Sequence, residues 1–151
     1  MGTYAVTGDV EWRALSAMDD VVTNSLAVAQ ITANVRKAGD KTATRSMPGI
    51  CIDGIASHEL IGVPEYRIRY ELACESAAAV DQTGETVAAL AGILRDMLNG
   101  DDFVAALNDQ QRGIVFHDVR EGESYRDDDE VNKIRRLVIQ VDGWCYPGRA
   151  A

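Results

Sequence analysis

The stretch that decides the fold is Tyr66–Ser76, YRIRYELACES. Tyr66, Ile68, Tyr70, Leu72 and Cys74 fall on one side of an extended chain. Arg67, Arg69, Glu71 and Glu75 fall on the other. Strict alternation of this kind predicts a strand of a sheet with one covered and one polar face. Outward from it, TGETVAALAGILRDMLNG (83–100) carries Val87, Leu90, Ile93, Leu94, Met97 and Leu98 at helical spacing. Thr83, Glu85 and Thr86 give it a weak capping signal. DDFVAALN (101–108) predicts a second, short helix. GIVFHDV (113–119) and RRLVIQVDGW (135–144) predict two further strands.

Upstream, the pattern reads as one helix over residues 9–38, capped by Asp9, with Leu15, Met18, Val22, Leu26, Ala29 and Ala33 on its apolar stripe. Ser25, Thr32 and the V-V-T stretch weaken it. Residues 1–8 read as a loose arm. Pro48 opens a strand, GICIDGI, in which Gly54 marks a bulge or bend. Residues 147–151 read as a tail. The fold class is therefore α+β: one domain with a core at 48–146, a single mostly antiparallel sheet of about four strands, and helices packed on one face.

The 151 residues carry 24 Asp and Glu against 15 Lys and Arg, a net charge of −9. A field of that sign disfavours a surface that grips phosphates. The three cysteines are widely spaced and form no CxxC pair, which speaks against a zinc knuckle and for free thiols in a reducing compartment. No signal peptide or membrane-spanning run is visible, and folding in a cytoplasm is expected.

No motif carries chemistry. GxSxG, SxxK, GxGxxG and the P-loop pattern are absent. His58 and His117 lack the company a catalytic histidine needs and read as structural. Asp127, Asp128, Asp129 and Glu130 offer four consecutive carboxylates without EF-hand spacing, so a solvated loop is expected in place of a cation site. Arg67, Arg69, Arg135 and Arg136 could form a basic stripe, but the interleaved glutamates favour cross-strand ion pairs. Trp12, near the arm, reads as an interface anchor. Trp144 reads as either an anchor or a core residue. No enzyme activity, cofactor or metal is expected.

Charge is unevenly spread. Residues 118–130 hold seven acids and two bases, net −5, and read as an acidic loop. Arg36, Lys37, Lys41 and Arg45 with Asp40 give the 36–45 connection a net charge of +3.

From YRIRYELAC, through an Ala/Leu-rich helix ending in LNG, to the charged EGESYRDDDEV and the closing IRRLVIQVDGW, the segment 64–146 resembles the tail-terminator and tail-completion proteins of long-tailed bacteriophages and prophages. The first 60 residues resemble them loosely, with a longer lead-in. The resemblance implies a structural virion protein without catalysis. It would form a ring, a hexamer, on the end of the tail tube, stopping tube growth and meeting the head-completion proteins. DNA would pass through the lumen without specific binding. The protein would stand in the tail–neck region of the virion, and in the host cytoplasm during assembly, with no membrane contact. A head-closure or head–tail adaptor protein is the alternative within that class. A tail-tube subunit fits less well, since no long hairpin is visible. A small enzyme or ligand-binding module is the alternative from another class and requires a deep pocket with convergent polar groups. A ring contact is heterologous and needs two unlike patches. Arg36, Lys37, Lys41 and Arg45 on one side, Asp127, Asp128, Asp129 and Glu130 on the other, and Trp12 are the candidates; two independent solvated loops are the alternative.

Overall fold

The computed structural model describes residues 7–40, 46–58, 62 and 64–147. The elements run α1 (Thr7–Thr23), α2 (Leu26–Ala29), β1 (Val35–Lys37), β2 (Gly49–His58), β3 (Tyr66–Ala77), α3 (Glu85–Leu98), α4 (Phe103–Asn108), β4 (Ile114–Arg126) and β5 (Ile134–Pro147). The five strands form one sheet in the order β1-β2-β3-β5-β4. Only the β1–β2 pair is parallel. The fold is α+β with a mostly antiparallel sheet, as the alternation of β3 predicts.

Tyr66, Ile68, Tyr70, Leu72 and Cys74 are all buried under the helices. They meet Val10, Ala14, Ala17, Met18, Val21 and Val22 of α1, and Leu90, Ala91, Leu94 and Leu98 of α3. Tyr70 is the peg between sheet and helix. Its hydroxyl donates to the Ala14 carbonyl at 2.7 Å. A buried hydroxyl needs such a partner. Opposite it in the register stands Gly54, where an added Cβ would come 3.2 Å from the tyrosine ring. Gly54 therefore makes room for Tyr70 within a regular ladder and does not mark a bulge.

The N-terminal helix is shorter than the stripe predicts. Instead of running to residue 38, α1 stops at Thr23. Ser25 starts a new turn, its Oγ accepting from the Val28 amide at 3.3 Å. Leu26 is 82% exposed, so the continued stripe is false. Thr32 then redirects the chain: its hydroxyl donates to the Pro48 carbonyl at 2.7 Å and accepts from the Asn34 amide at 2.9 Å. Residues 35–37 become β1, whose ladder to β2 includes Ile50 N to Asn34 O and Ala38 N to Ile52 O. Short polar side chains that bond the nearby backbone thus outcompete the helix. Thr7 and Gly8 of the expected arm are helical; its other residues lie outside the described ones, as do those of the expected tail beyond Pro147.

The final hairpin is longer than its sequence indicates. β4 runs through Arg126, across most of the expected acidic loop, and residues 120–126 are exposed. Two register shifts, at Phe116/Asp118 and Glu121/Ser124, mark bulges. β5 is paired to β3 from Ile134 to Cys145. The long hairpin is therefore built into the sheet.

The start of α3 is capped by Asp81, not by the threonines. Its carboxylate accepts from the Thr86 and Val87 amides, both at 3.2 Å, and from the Ser76 hydroxyl at 2.7 Å. Burial pushes this carboxyl up. The bonds from Ser76, Thr86 and Val87, with the nearby Arg135, outweigh that and hold it below its ordinary value. A carboxyl more acidic when folded contributes stability that is present above its unfolded pKa and is lost as pH falls through its folded value. Asp81→Asn is expected to cost about 1 kcal/mol at neutral pH. In urea melts across pH, the gap between variant and parent should close on the acid side; a gap that is constant down to full acid unfolding contradicts the role.

Candidate assembly surfaces

Strand parity places Arg36, Cys51, Asp53, Ile55, Arg67, Arg69, Glu71, Glu75, Arg136, Gln140, Asp142 and Trp144 on the face away from the helices. Their charges are largely consumed between strands. Arg67 reaches Asp142 with Nε at 3.3 Å and Nη2 at 3.0 Å, and Arg69 Nε reaches the same carboxylate at 3.4 Å. The Tyr125 hydroxyl donates to Glu71 at 2.9 Å. Glu65 meets His117 Nε2 at 2.7 Å. The arginines of β3 are thus ion-paired, as the interleaving of acids predicts. Trp144 is neither a core residue nor a bare anchor. It lies half-buried with the guanidinium carbons of Arg67 and Arg120 at 5.6 and 5.5 Å from its ring.

One carboxylate breaks the polar-outside pattern. Glu75 is 1% exposed. Arg36 Nη2 donates to one of its oxygens at 2.7 Å, and Arg136 donates to the other through Nε at 2.9 Å and Nη2 at 2.8 Å. Arg36 reaches it across β2, where Gly49 stands opposite Glu75 and carries no side chain. Arg136 continues outward: its Nη1 donates to the Asp127 carbonyl at 3.1 Å, and its backbone amide donates to Asp128 Oδ1 at 2.9 Å. Arg36 is therefore an internal cation of β1, where the sequence placed it in a basic loop.

The acidic run is also partly internal. Asp129 accepts from the Asn132 amide at 3.0 Å and from Asn132 Nδ2 at 2.8 Å, bonds that hold its carboxyl below the ordinary range. Asp128 and Asp129 thus build the turn between β4 and β5; Asp127, Asp128 and Glu130 are exposed and Asp129 is half-buried. Among the described residues no group of three or more His, Cys, Asp or Glu is placed to hold a metal ion.

Trp12, on α1, is 55% exposed. Lys37 Nζ lies 4.7 Å from its ring centroid, and the Arg112 guanidinium lies 6.0 Å away. Arg112 is itself held by Asp20 at 2.7 and 2.9 Å. The structure thus brings Trp12 and Lys37 together, and ties Arg36 to the Asp127–Asp129 turn through Glu75 and Arg136. Lys41 and Arg45 lie outside the described residues. No local signal in the sequence marks the Glu75 link, since its two partners come from other strands.

On the bare face the β4 bulge helps to form an open groove of about 490 Å³, lined by Asp53, Ile55, Arg69, Glu71, Glu123 and Asp142 among others.

No family model matches the chain, and no curated protein matches it. Among solved structures it is similar to a chain from the virion of a native gene transfer agent (GTA) particle. The TM-score is 0.62 at 15% sequence identity, with 95% of this chain and 99% of that chain covered. At that identity the likeness is one of fold, and it runs end to end.

Removing the buried carboxylate leaves two guanidiniums without their shared partner. Glu75→Ala is expected to lower stability by about 3 kcal/mol. Asp127→Ala, at an exposed partner of Arg136, is expected to cost under about 0.5 kcal/mol. Urea midpoints of both variants check this; equal losses contradict the special role of Glu75.

Proposed function

We propose that this chain is a structural subunit of a phage-like virion, and that it forms a ring capping the tail tube. The ring ends tail growth and meets the head-completion proteins, with DNA passing through its lumen. The observation that carries the reading is the end-to-end likeness of fold to a chain of a GTA virion. The order of segments, which resembles tail-terminator proteins, supports the finer assignment. A role in assembly and not in catalysis fits the bare face, whose charged residues are spent on one another across strands. The chain's net charge of −9 suits a channel wall that must not hold DNA.

The long β4–β5 hairpin raises the tail-tube reading again, since stacked rings use projecting arms. Here β5 is paired with β3 over Ile134–Cys145, so the hairpin has little free length to reach a neighbouring ring. The terminator reading stays first.

Mass photometry of the purified protein is the test. Six copies support the terminator, and electron micrographs should then show rings. Twelve copies point to an adaptor in the neck. A monomer at every concentration overturns the ring.

A further inference from the structure

The sheet has two unlike edges, β1 and β4, on opposite sides; on β1 the Val35 amide donates to Ala33 O and the Lys37 carbonyl accepts from the Asp40 amide. Among the described residues β1 pairs only with β2, and β4 only with β5. The strand senses follow from the pairings: β1 and β2 point one way, β3 the other, β5 back again, and β4 against it. β4 therefore runs opposite to β1. Copies arranged head to tail around one axis keep these senses, so β4 of one copy meets β1 of the next as an antiparallel pair, the more stable kind.

The register across the sheet makes the match specific. Arg36 lies level with Cys51, Ala73, Val138 and finally Tyr125. By the same ladder Val35 is level with Arg126, and Lys37 with Ser124. All three residues of β1 thus find a level counterpart in Ser124–Arg126. The bulge at Glu121/Ser124 cuts off that run on its inner side, and Arg126 ends the strand. Bulges on an edge strand prevent indiscriminate pairing; here one leaves a regular run that suits β1. The faces agree as well. Tyr125 bonds Glu71 and Arg36 bonds Glu75, both on the bare face. Lys37 lies on the helix side, beside Trp12. Ser124, Tyr125 and Arg126 are all exposed.

We infer that the ring contact is an intermolecular strand pair, in which the Ser124–Arg126 edge of one copy binds the Val35–Lys37 edge of a second copy, antiparallel and in the level register. The inference rests on the ring reading above and adds its geometry. Arg36 of one copy and Tyr125 of the next then stand opposite on the bare face, each with its polar end held inward by a glutamate of its own chain, so the contact between the copies is made by backbone. Lys37 faces Ser124, with Glu121 and Glu123 of the same strand nearby.

Directly opposed residues of an antiparallel pair bring their Cα atoms to about 4.5–5.5 Å, within the span of a disulfide. The test is K37C with S124C in one chain, on a C51S background that removes the partly exposed native thiol. Cys74 and Cys145 are buried, and burial pushes both thiols up to about 12, so they stay protonated and slow to react. After mild oxidation at a concentration where wild type is assembled, a non-reducing gel should show a ladder from dimer to the full native size. K37C alone and S124C alone should remain single-chain bands. If the double variant keeps its native mass but gives no ladder, the strand pair is wrong and the ring survives. If S124C alone gives a dimer band, the β4 edges pair two-fold and the inference falls. If wild type is monomeric throughout, the ring reading itself fails.

Discussion

Glu75 sits between two guanidiniums with 1% of its surface exposed. A carboxylate in that position is costly unless its bonds are filled, and both oxygens are. The consequence is mechanical. Arg36 ties β1, a strand of only three residues, to the centre of the sheet. Arg136 ties the turn after β4 to the same point. Without this pairing β1 would hold on by few ladder bonds, and the hairpin turn would lose its inner anchor. One buried charge thereby positions both outer strands, and these are the surfaces a second copy can reach.

The other face is organised by a different constraint. Tyr70 bonds the Ala14 carbonyl and fills the space left by Gly54, which fixes α1 over β2 and β3. Asp81 fixes the start of α3. With all helices committed to this side, the opposite face has only its own side chains to satisfy its charges. It does so through Arg67, Arg69 and Asp142, through Tyr125 and Glu71, and through the Glu75 pair. The result is a polar sheet surface whose arginines are held by Asp142 and Glu75 of the same chain.

Much of this was legible from residue type and spacing. The alternation at Tyr66–Cys74 gave the central strand and its buried side, and the stripe from Val87 to Leu98 gave the covering helix. What stayed hidden has a common physical cause: long-range partners override local pattern. Val35–Lys37 looks like the tail of a helix because nothing local shows that β2 will pair with it. Arg120–Arg126 looks like an acidic loop because an exposed edge strand needs no apolar alternation. Glu75 looks like a surface residue because its burial depends on Arg36, 39 residues away, and on Arg136, 61 residues away. The acidic turn was read as one half of a charged contact. Asp128 and Asp129 also bond the turn itself, and the strand edges beside them carry backbone groups that a second copy can reach.

Hydrogen exchange, followed by mass spectrometry on assembled protein and on protein diluted below its assembly concentration, reads those edges directly. Backbone amides that gain a partner exchange more slowly. Assembly is predicted to slow exchange at residues 35–37 and 124–126 while leaving the central strand, Tyr66–Ala77, unchanged. Slowing confined to α1 and α3, with both sheet edges unaffected, would contradict it.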